Sequence, residues 1–248
     1  MIQSGAFLSG RNGATVPVIA DEDAFFRGDR RTIVGGRWEH DFDAFTTWRT
    51  QLVFDDRQTN QSFYPSSGRG DFPGFNFLTD VTRRGDVFGL PASVDVALAY
   101  NTPDSHSLTY NRVPYGGTRL GALTADLEAK QANLGGRARI ELQLSEQWIA
   151  VAGITAENTT INGRNITCGF PAAGGITTLA NIDRSFLNVA PEFSLLYLPN
   201  TKWQFRGRVA TGYATTAASN LTITSAGVPG NHGQRQTQEN LGFDVGAD

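Results

Sequence analysis

The sequence predicts an all-β fold: an antiparallel, up-and-down transmembrane β-barrel wall of about ten strands. Three observations carry that reading. Segments of alternating polarity recur through the chain, the links between them are alternately tight and long, and all four tryptophans lie beside tight links. Trp203 to Ala210 is the plainest example, with Trp203, Phe205, Gly207 and Val209 on one face and Gln204, Arg206, Arg208 and Ala210 on the other. A period of two is that of a strand. A slip of one residue would turn Arg206 and Arg208 toward the apolar side, at about 2–4 kcal/mol each in a bilayer midplane.

After an opening without clear pattern, Thr32 to Phe42 places Val34, Gly36, Trp38 and Phe42 on one face. Asp43-Ala44-Phe45 is its tight link. Trp48, Thr50, Leu52 and Phe54 follow opposite Arg49, Gln51 and Asp55, and a polar link rich in Ser, Gly and Pro spans 57–73. Residues 75–87 form a weaker strand, because Arg83 and Arg84 are adjacent; Phe88-Gly89-Leu90-Pro91 turns it into Val94, Val96, Leu98 and Tyr100. The stretch 102–123, with Pro103, Pro114 and three glycines, reads as a long loop with room for a short hairpin extension.

A long strand then runs to Leu144, with Ala138, Ile140 and Leu142 against Arg137, Arg139 and Glu141, and turns at Ser145-Glu146-Gln147. Trp148 to Asn158 returns, and 159–185 is the next long link. Leu187, Val189, Phe193, Leu195 and Tyr197 share a face, and Pro199-Asn200-Thr201 leads into the Trp203 strand. Beyond a long loop at 214–236, Leu241, Phe243, Val245 and Ala247 alternate with polar or small residues. The four long links are expected to lie outside the cell. Strands of about ten residues, tilted about 40°, cover roughly 25 Å of bilayer. Tyr100 and Tyr213, at the long-link ends, complement the tryptophans as a second aromatic girdle.

Composition narrows the function classes. The net charge of −3 comes with no basic stripe, so nucleic acid is not an expected partner. No run of about 18 apolar residues is present for a transmembrane helix, which says nothing against a barrel. Cys168 is the single cysteine, leaving no intrachain disulfide. His40, His106 and His232 have no metal-ligand spacing, and the adjacent Asp55 and Asp56 point to opposite faces of a strand. Arg69-Gly70-Asp71 reads as a turn, and the glycine pairs lack a phosphate-loop context. Neither catalysis nor a cofactor is expected. Binding must then concern the polar face, where Arg49, Arg137, Arg139, Arg206 and Arg208 accompany Glu141, Glu192 and Asp244. Arginine's planar donor fork suits carboxylates and phosphates. The same set is also what a hydrated wall of mutually compensating charges would contain.

Several segments resemble the TonB-dependent receptors of the bacterial outer membrane, in particular the ferric-siderophore receptors. They are Gly35-Gly36-Arg37-Trp38-Glu39-His40 with Thr47-Trp48-Arg49-Thr50, Asp80-Val81-Thr82-Arg83-Arg84-Gly85, Asn188-Val189-Ala190-Pro191-Glu192, and Arg206-Gly207-Arg208-Val209-Ala210-Thr211-Gly212-Tyr213. The closing Gln238-Glu239-Asn240-Leu241-Gly242-Phe243 is similar to a family strand but lacks its proline. The resemblance runs from about residue 30 onward. It implies uptake of a ferric siderophore or similarly scarce nutrient, contact with outer-membrane lipid, and coupling to the TonB-ExbB-ExbD complex through a plug domain. Plugged transporters have roughly 22 strands, so residues 1–248 are expected to be a partial barrel domain without the plug and the remaining strands. The named polar-face residues would then meet ligand or plug. A passive porin-like channel and a soluble β-sandwich binding module are the alternatives. The sandwich alone predicts a protein monodisperse without detergent.

Overall fold

The computed structural model describes residues 26–63, 66–112, 120–168, 177–223, 230 and 234–247. The patternless opening up to residue 25 and the glycine-rich stretches at 113–119 and 169–176 lie outside them.

The described residues form one antiparallel sheet. Its strands are β1 (Phe26–Asp41), β2 (Thr46–Phe63), β3 (Ser66–Val87), β4 (Leu90–Pro103), β5 (Ser105–Arg112), β6 (Leu120–Gln143), β7 (Trp148–Thr167), β8 (Thr178–Asn200), β9 (Trp203–Ala214) and β10 (Gln238–Ala247), with one helical turn, α1 (Ala218–Leu221). Each strand pairs with the next, except that β4 and β5 share one lane: both pair with β3 on one side and β6 on the other. The break falls at Asp104, whose N–H donates to the Pro73 carbonyl and whose carboxylate accepts from the Gln131 N–H. The hairpin extension allowed for in the 102–123 stretch is thus β5, and it brings the sheet to ten strands among the described residues.

The strand boundaries differ most at the long links. The described residues of 57–73 are strand, not loop: β2 and β3 stay in register up to Phe63 opposite Ser66. Likewise β7 continues to Thr167 and β8 begins at Thr178, so much of 159–185 is strand. The cause is the solvent on each side. Strands of 22, 24 and 23 residues (β3, β6 and β8) far exceed the roughly ten needed to cross a bilayer. Beyond the apolar band the outer face no longer meets hydrocarbon, so the band's alternation of polarity ends while backbone pairing goes on.

Within the band, register carries one face across every lane. Val34, Phe54 and Phe75 are cross-strand partners, as are Leu52, Phe77, Tyr100 and Leu134 in the next rung. Ala138, Ile154 and Pro191 continue the face, and Phe193, Val209 and Phe243 end it. These side chains are largely exposed and no second sheet covers them among the described residues. That arrangement contradicts a sandwich, whose apolar faces pack on each other. Hydroxyls on the same face are internally satisfied, as hydrocarbon demands: Trp48 Nε1 donates to Thr79 Oγ1 (2.8 Å), which also lies 2.9 Å from Thr50 Oγ1.

Aromatics gather at the tight-turn end. Trp38 stacks on His40 and meets Trp48 edge-on at 4.7 Å; Trp148 stacks on Tyr197, and Trp203 on Phe205. Arg83 shares this end of the apolar face, opposite Thr46 and Val94, where a long stem carries its charge toward the headgroups. The β3–β4 link is a two-residue turn with Phe88 (φ 54°) and Gly89 (φ 78°) both left-handed, the geometry that matches strand twist.

Candidate functional site

The polar face is a lattice of ion pairs laid across the lanes. Arg49 donates through Nε and Nη2 to Asp80 (2.9 and 2.7 Å) and through Nη2 to Thr82 (3.2 Å). Thr82 in turn donates to Asp95, which accepts from Arg137 at 2.5 Å. On the other half, Glu192 lies between Arg208 (2.8 Å) and Arg139 (4.0 Å), and Arg139 also faces Glu141 at 3.5 Å. Gly153 makes this reach possible: it sits between Arg139 and Glu192 in register, and a Cβ there would meet Glu192 Oε1 at 2.9 Å. Arg206 lies against Gly246, and Asp244 directly opposes Arg208.

Of the residues nominated from sequence, Arg139, Glu141, Glu192 and Arg208 therefore come together. Arg49 and Arg137 belong to a second cluster, joined by partners the sequence reading passed over: Asp80, Thr82 and Asp95. Register would have found Asp95, which pairs directly with Arg139. These pairs are partly exposed, so each contributes only about 0.2–1 kcal/mol. Their weight lies in holding side chains in place and in cancelling one another's charge.

Above the ion pairs the same face changes character. Asn133 donates to Asn101 at 2.6 Å and Gln131 to Asn133 at 3.0 Å, while Arg31 pairs with Asp55 and Arg57 with Asp29. Near the tight turns, a hollow of about 630 Å³ opens between Glu39, Asp41, Arg49 and Arg84.

The one buried apolar cluster among the described residues is also on this face. Ile161, Ile182 and Phe186 of β7 and β8 receive Leu221 of α1, and Leu127 packs beside them. Asn188 donates to Thr215, Asn165 to Thr222, and the Arg184 guanidinium to the Arg235 carbonyl. The described part of the β9–β10 link thus folds back over the polar face, where sequence suggested a loop reaching away.

An uncovered apolar band, girdled by aromatics and backed by a wet, charge-paired face, defines a transmembrane β-barrel wall. The family model of the TonB dependent receptor-like β-barrel matches residues 3–245, and the chain belongs to that family, whose members are outer-membrane receptors and transporters of bacteria. Solved structures share the fold. The unliganded ferric citrate transporter FecA superposes with a TM-score of 0.71 at 12% identity, over 89% of this chain and 32% of that one. The closed form of the ferric-catecholate import receptor Fiu of E. coli K12 gives 0.72 at 14%, over 91% and 39%. The siderophore receptor PiuA of Acinetobacter baumannii gives 0.64 at 13%, over 91% and 38%. The chain spans between about three-tenths and two-fifths of the length of these structures. No curated protein matches it.

Proposed function

We propose that this chain is one arc of the barrel of a receptor that takes up a ferric siderophore with energy from the TonB-ExbB-ExbD complex, reached through a plug domain elsewhere in the intact protein. The family match along nearly the whole chain carries this reading, supported by likeness to structures described as ferric citrate, ferric-catecholate and siderophore receptors. In it the polar face is the lumen wall, and the tight turns point to the periplasm.

Arg49, Arg137, Arg139, Glu141, Glu192, Arg206 and Arg208 then line the path between ligand mouth and plug. Arg49, Arg137, Arg139 and Arg208 are already paired with carboxylates, so they do not act as a sink for a passing anion. They give the ligand or plug a hydrated surface with which to exchange partners, at little cost per pair. The hollow around Arg49 and Arg84 is the natural contact for the plug. Making and breaking covalent bonds has no part in this function.

Growth on a ferric siderophore under iron limitation, in cells carrying the receptor that contains this wall, tests the proposal. Uptake is expected with TonB present and lost when TonB is deleted or the proton gradient is collapsed. Uptake that survives both treatments would instead describe a passive channel.

A further inference from the structure

At the outer edge of the apolar band the lumen face carries neutral amides. Asn76, Asn101 and Asn133 oppose one another across β3, β4 and β6. They alternate along their strands with Phe77, Tyr100 and Leu134 of the lipid-side rung, so their side chains face the lumen. Gln131 Nε2 donates to Asn133 Oδ1 at 3.0 Å, and Asn133 Nδ2 donates to Asn101 Oδ1 at 2.6 Å. A primary amide has two N–H donors and an oxygen with two lone pairs. This chain therefore leaves the Asn101 N–H groups at one end, and Gln131 Oε1 at the other, without a partner among the described residues. Each link polarises the next, which strengthens both open ends. Asn76, exposed and without a partner among the described residues, extends the ledge by one lane.

One rung toward the tight turns, Leu78, Ala99 and Gly135 lie side by side under this ledge, with Glu157 beyond them. Leu78 is 42% exposed although it faces the wet side. Ala99 and Gly135 leave the backbone open to close approach. An apolar floor beneath a row of amides fits an amphipathic molecule with carbonyl and N–H groups along one edge. Charge argues against an anion. Below the floor Arg49 and Arg137 are held by Asp80 and Asp95, and above the ledge Arg31 is held by Asp55. Glu157 accepts from Thr159 at 3.2 Å and has no cation partner among the described residues. A polyanion seated here would meet that carboxylate with no guanidinium of these two rungs to offset it.

We propose that this ledge seats the ligand and selects an uncharged iron chelate, a ferric trihydroxamate on a peptide-like backbone, over a polyanionic tris-catecholate. The N–H groups of Asn76 and Asn101 donate to its carbonyl oxygens, Gln131 Oε1 accepts from its N–H groups, and Leu78 packs against its aliphatic part. The inference rests on the siderophore-uptake reading above and names the class of chelate within it.

Equilibrium binding is measured on the detergent-solubilised receptor that contains this wall, with two probes loaded with radioactive iron. One is ferrichrome, an uncharged trihydroxamate on a cyclic peptide; the other is ferric enterobactin, a trianionic tris-catecholate. Ferrichrome is expected to bind more tightly, with an affinity that hardly changes between low and high salt. Asn101→Leu with Asn133→Leu should weaken it about 10-fold, as the loss of one or two net hydrogen bonds implies. Asn158→Leu, at the same height on the lipid face, should leave it unchanged. Glu157→Gln removes a like charge and should strengthen ferric enterobactin binding several-fold, a gain that misfolding cannot mimic. Ferric enterobactin bound as tightly as ferrichrome, a steep salt dependence for ferrichrome, equal loss in Asn158→Leu, or no gain in Glu157→Gln would each overturn the ledge. The growth experiment separates the two readings. TonB-dependent uptake of the catecholate without ferrichrome binding overturns this inference alone, whereas no TonB-dependent uptake of either chelate overturns the siderophore-uptake reading and the inference with it.

Discussion

The lower and upper halves of the same strands obey different rules. In the lower half of β3, Phe75, Phe77, Thr79 and Val81 alternate with Asn76, Leu78, Asp80 and Thr82, and the odd-numbered side faces lipid. In the upper half, Ser66 to Asp71 is as well paired to β2 as any residue below it, yet carries polar side chains on both faces. Alternation of polarity therefore reports what lies on each side of a strand. Backbone pairing alone reports the strand.

The largest expected effect comes from placing one charge in each half. Leu98→Arg, in mid-band, should cost about 2–4 kcal/mol, whereas Ile166→Arg, opposite Asp126 above the band, should cost almost nothing; folding into lipid vesicles followed by urea titration compares them. If both were equally harmful, the upper half would also be in contact with lipid. Leu221→Ala removes the central contact of the inner cluster and should loosen the α1 segment by about 2 kcal/mol. Limited proteolysis within 215–222 should then speed up, with no change in the stability of the band.

Two glycines of neighbouring lanes refine the comparison. At Gly163, in the upper half, a Cβ would lie 2.8 Å from the Ala129 Cα, so Gly163→Ala should cost about 1–3 kcal/mol by forcing β6 and β7 apart. At Gly136, in the band, the nearest atom would be the Ala97 carbonyl oxygen at 3.8 Å. Gly136→Ala should therefore be neutral in the same urea titration. A small effect is expected at the β1–β2 turn, where Asp43 accepts from the Phe45 N–H at 2.7 Å and from Thr46, and the Phe45 bond chiefly holds its carboxyl below the ordinary range. A depressed carboxylate stabilises the fold above its unfolded value, and the contribution disappears as pH falls through the depressed one. Asp43→Ala should slightly lower the melting temperature at neutral pH and make no difference in strong acid.

Much of the wall was legible in the sequence because a bilayer imposes a binary pattern. The Trp203 strand, the Val94–Tyr100 strand and the tight links each read directly. Residues 57–73 did not, because with water on both sides Asp55-Asp56-Arg57-Gln58-Thr59-Asn60 has no reason to alternate. The polar-face arginines were legible one by one, but their grouping was not. That Arg49 joins Asp80, and that Arg139 and Arg208 share Glu192 across the gap at Gly153, follows from register between lanes, which no single segment encodes. The folding of α1 onto Ile161, Ile182 and Phe186 was hidden for the same reason.

The most direct test is a nitroxide scan of β3. With Cys168 replaced by Ser, single cysteines from Ser66 to Thr82 would be spin-labelled in the receptor reconstituted into lipid, and their accessibility to oxygen and to a water-soluble nickel chelate compared. The account predicts strict alternation over 75–82, with odd positions oxygen-accessible and even positions chelate-accessible, and chelate access at every position over 68–71. Lipid exposure on the even positions, or alternation continuing to Ser66, would contradict it.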